Sequence, residues 1–289
     1  MGQYHSYEAL KAKLHGLGAR PVGESLEGEP LLAVDVGDGE DRAVVLGGIH
    51  AMEWIGVEVA LELLQRLVED PPKDCVVRVH PLVNPDGYRR VERGRAAGQR
   101  SFDRTNARGV DLNRNWPTHW RGAHWRAKFL PRLGHGGSHP RSEPEVEAVC
   151  RGLDAWKAEG HGLQRALSLH SFGRKVLYPY GGIWAAPDDG ESQKRIAEKI
   201  ASATGYDATQ SARWVPGAFA YGMELDTLHA EYGADAILVE CDGGFEWLTP
   251  ARWRQPFEWF NPLSPKRTVA ALAPTLERFV RGTLSTGPR

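Results

Sequence analysis

The sequence lacks several features that would assign it to a broad class of protein. No apolar run approaches the roughly 18 residues that a membrane span needs, and there is no Gly/Ser linker, charge block or internal repeat. The N-terminus has neither the basic segment nor the apolar segment of a signal peptide. We therefore expect one domain over residues 1–289, with no membrane partner.

The chain also has almost no excess of one charge over the other, and it has only three cysteines. The formal net charge of −1 argues against a general polyanion binder. Seven arginines fall within residues 89–108; we interpret most of them as part of a solvated loop and expect no nucleic-acid partner. Cys75, Cys150 and Cys241 lie in apolar segments, so we predict buried free thiols and a reducing, cytoplasmic setting. The oligomeric state stays open.

What the sequence does contain is an alternation of strand-like and helix-like segments. Short apolar runs predict strands over residues 31–36, 43–46, 75–79, 166–170 and 236–240. Apolar residues at helical spacing predict helices over about 57–68, 142–156, 191–203 and 265–280, with Ser142 as an N-cap. Between them we predict a turn at 84–87 and a long irregular stretch over 89–140. The pattern indicates an α/β fold, a mostly parallel sheet with helices on both faces.

Ionisable residues lie at or just after the ends of two of the predicted strands. His50 and Glu53 come after strand 43–46, and His170 ends strand 166–170. A catalytic zinc takes three protein ligands and leaves one position open, and the strand ends of such sheets gather sites, so these residues form a candidate ligand set. His5 and Glu8 repeat the spacing of His50 and Glu53 without comparable context. The alternative for His170 is a histidine bonded to the backbone.

Four further residues suggest chemistry beside such a metal. Glu240 ends strand 236–240 and could accept a proton from water; a structural ion pair is the alternative. Asn113 and Arg114 combine a directional donor with a planar cation that suits a carboxylate, which points to a substrate with a free carboxylate. The alternative is a loop held by asparagine side chains. Arg104 could stabilise an oxyanion.

Together these segments resemble the zinc carboxypeptidase family, the M14 peptidases. The resemblance covers nearly the whole chain and rests on ordered strings at residues 48–54, 84–88, 109–116, 142–145, 170–173 and 239–240, with Arg104. It implies an eight-stranded mixed sheet flanked by helices and one Zn²⁺ per chain.

The same resemblance implies a role for each candidate residue. Zinc would be bound by His50, Glu53 and His170. Glu240 would act as general base and then acid, with Arg104 on the oxyanion. The substrate's terminal carboxylate would be bound by Asn113 and Arg114.

The sequence departs from the family pattern at several positions. Met52 replaces the arginine of members close to the digestive enzymes, and Phe172 replaces a more usual tyrosine. For the mobile tyrosine of the family, Tyr221 is the nearest candidate, whereas an alignment on Leu225 and Asp226 places Ala218 there. Residues 104–115 also resemble the bacterial branch that acts on murein peptides. Inhibition by a cleaved N-terminal segment is not expected.

The leading hypothesis is a zinc metallocarboxypeptidase that removes the C-terminal residue of a peptide. The alternative is a zinc amidase or deacylase acting on γ-glutamyl (murein) peptides or N-acyl amino acids. A third hypothesis is a metal-binding or interaction protein without catalysis. The sequence does not set the side-chain preference: Glu224 or Asp226 would favour a basic side chain if either lined the pocket, and otherwise both are solvated surface acids.

Overall fold

Eight strands pair into one mixed sheet. The computed structural model describes residues 4–100, 102–122, 134–215, 217–242 and 255–284. The strands are β1 Arg20–Glu24, β2 Pro30–Asp38, β3 Asp41–Gly47, β4 Cys75–His80, β5 Leu163–His170, β6 Lys175–Tyr178, β7 Asp207–Gln210 and β8 Asp235–Glu240. Their order across the sheet is β1-β2-β4-β3-β5-β8-β6-β7. The predicted fold class is confirmed.

The four central strands run parallel and bring their carboxyl ends to one edge. β4, β3, β5 and β8 pair in parallel, and β2 and β6 flank them in antiparallel pairing. In this register Leu46 lies beside Ser168, and His170 lies beside Glu240. The predicted strand-end residues therefore share one edge of the sheet.

Helices cover both faces of the sheet. They are α1 Tyr7–Gly16, α2 Trp54–Glu69, α3 Pro85–Ala96, α4 Pro144–Ala158, α5 Gly190–Thr204, α6 Ser211–Trp214, α7 Glu224–Ala230, α8 Pro256–Phe260 and α9 Pro265–Val280. Successive strand residues point to opposite faces. Val45 and Ile237 thus share a core with residues of α2, α5 and α9, whereas Val44 and Leu238 share one with residues of α4 and α7.

The helix α3 corrects the turn predicted at 84–87 and shortens the irregular stretch. Asn84 is its N-cap, because the Oδ1 atom accepts from the Gly87 N–H at 3.0 Å, and Pro85 occupies the first turn. An Asn-Pro pair suits a turn and a helix start equally well, since both need a capped amide and a fixed φ. Four of the seven arginines lie on this helix rather than in a loop: Arg89, Arg90, Arg93 and Arg95.

The predicted capping role of Ser142 is also wrong. The N-cap of α4 is Glu143, and it makes no side-chain capping bond. The Ser142 hydroxyl instead donates to the Glu143 carboxylate and accepts from the Asn115 amide at 2.9 Å. Ser142 therefore joins the start of α4 to the segment that carries Asn113 and Arg114.

Cys75, Cys150 and Cys241 are free and buried, as predicted. Over the described residues, no helix combines the length and the apolarity needed to cross a bilayer.

Candidate metal centre and active site

His50, Glu53 and His170 lie together, buried, at the carboxyl edge of the sheet. The Nδ1 atom of His50 lies 2.8 Å from Oε1 of Glu53, and Nδ1 of His170 lies 3.0 Å from Oε2 of Glu53. The two Nδ1 atoms are 3.0 Å apart. In a tetrahedral zinc site with bonds of about 2.0–2.1 Å, ligand atoms lie about 3.3 Å from one another. The donor set and its spacing therefore fit zinc, and no other group of the described residues could hold a metal in this way.

The loop after β3 aims His50 and Glu53 at this point. Gly48 has φ +60°, and a Cβ there would lie 2.6 Å from Leu82 and 2.9 Å from Val57, so a side chain would not fit. Glu53 is the N-cap of α2 but makes no capping bond. Its carboxylate is therefore available to the two histidines.

A second carboxylate contacts the far nitrogen of each histidine. Nε2 of His50 lies 3.1 Å from Oδ1 of Asp111, and Nε2 of His170 lies 2.8 Å from Oε1 of Glu224. With a metal at the two Nδ1 atoms, the proton of each neutral imidazole would lie on Nε2, where it meets a carboxylate that only accepts hydrogen bonds. Both Nδ1 atoms are left to donate a lone pair to a metal.

No sequence pattern assigned these two carboxylates to the metal site. Asp111 lies two residues before Asn113, inside a string already connected with substrate binding, and that nearness was the available signal. Glu224 and Asp226 correct both readings offered for them, since both are fully buried and neither lines the cavity beside the metal site. Asp226 accepts from the Gly181 and Gly182 N–H groups, each at 2.8 Å.

The buried charges depend on one another. Burial alone would raise the pKa of Glu53, but His50 and His170 hold that pKa well below its usual range. Burial also opposes ionisation of Asp111, and Arg104 beside it outweighs that effect and keeps the pKa of Asp111 low. Removing one partner of a buried pair leaves an uncompensated charge, which costs about 3–5 kcal/mol. The site is therefore a single electrostatic unit.

Glu240 and Arg104 line the same cavity as His50 and Glu53. Glu240 ends β8 and is buried, and its Oε2 atom has no hydrogen-bond partner. Burial, followed by the charge of Glu53, raises the pKa of Glu240 to about 8. Arg104 donates from Nε to Asp111 at 2.7 Å, and its Nη1 lies 3.9 Å from Glu53. A bound cation would lower the pKa of Glu240 by favouring its charged form.

A cavity of about 610 Å³ opens beside the metal site. Asn113 and Arg114 line it, and the buried Oδ1 atom of Asn113 has no partner. Among the ion pairs of the described residues, none includes the Arg114 guanidinium. Tyr221 and Ala218, the two positions considered for the mobile tyrosine, both line the same cavity. The Arg121 guanidinium lies 4.2 Å from the Tyr221 ring.

Of the two residues that replace a usual family residue, Phe172 lines the cavity and Met52 does not. Met52 is buried in the core, and its side chain does not line the cavity, so the position supplies no cation there. Phe172 does line the cavity and packs edge-on against Phe260. His5, of the repeated spacing, pairs with Glu58 at 2.8 Å and lies outside the metal cluster.

Comparison with known proteins decides the family. The family model for M14 peptidases, described as zinc carboxypeptidase, matches residues 17–234. The chain belongs to the zinc carboxypeptidase family. The family is zinc-dependent, so Zn²⁺ is the cofactor that this donor set would hold.

Curated relatives and solved structures agree with this assignment. Mouse carboxypeptidase A4 is 30% identical over 69% of this chain and 50% of its own length, and carboxypeptidase B of Astacus astacus is 25% identical over 84% of each. The chain thus spans about half the length of the mammalian relatives. Bovine thrombin-activatable fibrinolysis inhibitor, solved with a tick carboxypeptidase inhibitor, shares the fold with a TM-score of 0.78 and 21% identity over 97% of both chains. The murein-tripeptide amidase of Escherichia coli O157 shares it with a TM-score of 0.57 and 20% identity over 91% of both.

The ligand assignment predicts a zinc content. We expect one zinc ion per chain in the wild-type protein and most of that zinc to be lost in His170→Ala, because two ligands hold the ion more weakly than three. Inductively coupled plasma mass spectrometry after dialysis measures it. His5→Ala is the matched control, since it removes a histidine with the same sequence spacing to a glutamate, and should retain zinc. Equal zinc in His170→Ala and wild type would contradict the assignment.

The raised pKa of Glu240 predicts a pH-dependent effect on stability. Between its ordinary value of 4.5 and about 8 the folded protein keeps a proton that the unfolded chain loses, so this group lowers stability as pH rises through that window. In metal-free protein, Glu240→Gln should therefore gain about 1–3 kcal/mol over wild type near pH 7, and nothing below pH 4. Urea unfolding in the presence of a chelator measures the difference; a gap independent of pH would contradict the prediction.

Proposed function

We propose that the protein is a zinc metallocarboxypeptidase that hydrolyses the C-terminal peptide bond of a peptide. The observation that carries this proposal is Arg114, a half-buried cation that lines the cavity and has no ion-pair partner among the described residues. A half-buried cation has lost part of its hydration and is stabilised by an anion that meets it, and the planar guanidinium suits a carboxylate. The terminal carboxylate of a peptide meets that need within reach of the metal ligands. Membership of the zinc carboxypeptidase family supports the proposal.

Each of the remaining residues has a role in this proposal. Zinc, when bound by His50, Glu53 and His170, supplies Lewis acidity at the scissile carbonyl and lowers the pKa of water. Glu240 takes the proton of the attacking water and gives it to the leaving amine. Arg104, kept charged by Asp111, stabilises the negative oxygen that develops on the carbonyl carbon.

Binding of the substrate's end is assigned to three residues. Arg114 and Asn113 bind the terminal carboxylate, and Tyr221, at the same cavity, covers the bound residue. A single catalytic domain over 1–289 and a cytoplasmic setting stay predictions.

The requirement for a free C-terminal carboxylate on the substrate tests the proposed function. We expect wild type to cleave a peptide with a free C-terminus about 100-fold faster, in kcat/KM, than its C-terminal amide, because a bidentate charged contact contributes about 3 kcal/mol. Arg114→Ala should lose most of the activity on the free peptide and nearly all of the discrimination. Glu240→Gln controls for contaminating peptidases and should be inactive on every substrate.

Other outcomes distinguish the alternatives. Hydrolysis of a γ-glutamyl murein tripeptide or an N-acyl amino acid, with ordinary peptides left intact, would replace the proposal by the amidase or deacylase function. A zinc-loaded protein that hydrolyses none of these substrates would favour a non-catalytic role. Equal rates on the free and the amidated peptide would contradict the role of Arg114.

We further propose that the cavity takes a neutral, apolar C-terminal side chain. Leu177 and Leu238 lie opposite each other on β6 and β8 and line the cavity with Met223 and Ser211. The Ser211 hydroxyl lies 3.6 Å from the Met223 sulfur, so these two residues form one wall. None of these four side chains carries a charge. A basic or acidic side chain would therefore lose its water there without gaining a partner.

This uncharged wall predicts an order of preference among C-terminal side chains. In peptides that differ only in the last residue, kcat/KM should be about 10–200-fold higher for Leu or Phe than for Lys, Arg or Glu, which is the discrimination that burial of an apolar side chain supplies. Met223→Asp should narrow the gap for Lys, and Met223→Leu should leave the order unchanged. A wild-type preference for Lys or Glu would contradict the assignment of this wall.

A further inference from the structure

Glu224 is a buried carboxylate with no contact to the cavity. It is fully buried at the start of α7, and the described residues that line the cavity do not include it. Its Oε1 atom lies 2.8 Å from Nε2 of His170 and 2.9 Å from the Ser168 hydroxyl, which donates to it. Glu224 therefore contacts His170, a candidate metal ligand, at the ring nitrogen that faces away from the metal position. It would not meet a substrate in the cavity.

The burial of Glu224 serves His170 rather than the packing of α7. Its Oε2 atom is buried without a hydrogen-bond partner, so only the oxygen that faces His170 is used. Among the ion pairs of the described residues, Glu224 takes part in one, the pair with His170. An apolar side chain would fill this position without the cost of burying a charge.

Asp111 offers a comparison on the other histidine. Its Oδ1 lies 3.1 Å from Nε2 of His50, but its Oδ2 accepts from Arg104 at 2.7 Å, so the aspartate divides its charge between two partners. Glu224 has no guanidinium partner of this kind among the described ion pairs. Its charge therefore acts mainly on the imidazole of His170.

We propose that Glu224 is a positioning residue that orients His170 and strengthens the bond from its Nδ1 atom to zinc. An anion hydrogen-bonded at Nε2 fixes the tautomer and the ring, and makes Nδ1 a better electron-pair donor. With Asp111, each histidine of the site then has its own carboxylate. The inference rests on the zinc site of the proposed function but not on the identity of the substrate.

The test is the zinc dissociation constant of Glu224→Gln, measured by competition with a chromophoric chelator. Glutamine keeps the size and the acceptor oxygen but removes the charge. We expect zinc to bind about 10–100-fold more weakly than in wild type. Peptide hydrolysis at saturating zinc should fall by a smaller factor, because Glu224 does not touch the substrate.

Asp226→Asn is the matched control. It removes a second fully buried carboxylate from the same helix, but Asp226 holds the Gly181 and Gly182 N–H groups and not a metal ligand. Zinc affinity should stay within about threefold of wild type, since no zinc ligand loses a partner. The thermal midpoint of each metal-free variant shows whether it folds. If Glu224→Gln does not fold, Ser168→Ala should still weaken zinc binding, because it removes the hydroxyl that donates to Glu224 and lies 3.1 Å from Nε2 of His170.

Three results would overturn the inference. One is a folded Glu224→Gln protein that binds zinc as tightly as wild type. The second is an equal loss of affinity in Asp226→Asn, which would mean that any buried charge on α7 matters. The third is an unfolded Glu224→Gln protein together with unchanged zinc binding in Ser168→Ala. A wild-type protein that binds zinc at His170 yet cleaves no peptide would instead refute the proposed function and leave the role of Glu224 standing.

Discussion

The direction in which two imidazole rings point is the constraint on which the rest of the site depends. Asp111 holds Nε2 of His50 and Glu224 holds Nε2 of His170, so both Nδ1 atoms turn towards Glu53. Holding them there requires three carboxylates in the protein interior, which is costly unless positive charge lies among them. Arg104 and the histidines supply part of that charge, and a divalent cation bound at the two Nδ1 atoms would supply the remainder. Metal binding and the stability of this edge of the sheet are therefore coupled.

The sheet places these groups without long-range adjustment. β3, β5 and β8 are parallel neighbours, so the residues that follow their carboxyl ends lie at one edge. The register sets His170 beside Glu240 on adjacent strands, which brings the proposed base next to a candidate metal ligand. The close approach of Gly48 to Leu82 and Val57 lets the chain turn straight from β3 into the ligand loop.

Much of this arrangement could be predicted from the sequence, and the remainder depends on partners that a sequence does not pair. An ionisable residue at the end of an apolar strand is a local pattern, and it indicated His50, His170 and Glu240. Glu224 gave no such signal. It begins a helix of seven residues, which is too short to show a periodic apolar face, and its partner lies 54 positions away. The helix α3 was missed for a different reason, since an Asn-Pro pair begins turns and helices alike.

The short helix α7 connects three parts of the site that are otherwise far apart in the chain. Met223, its N-cap, forms part of the proposed apolar wall; Glu224 contacts His170, a candidate zinc ligand; Asp226 accepts hydrogen bonds from the Gly181 and Gly182 N–H groups. Met223 and Glu224 are neighbours in the chain. A backbone shift that moves Met223 would therefore also move the Glu224 carboxylate that contacts His170. The proposed side-chain preference and the proposed effect of Glu224 on zinc affinity would therefore be physically linked. Specificity would change more easily by side-chain replacement at 223 than by a shift of the helix, because a shift would disturb the candidate metal centre at the same time.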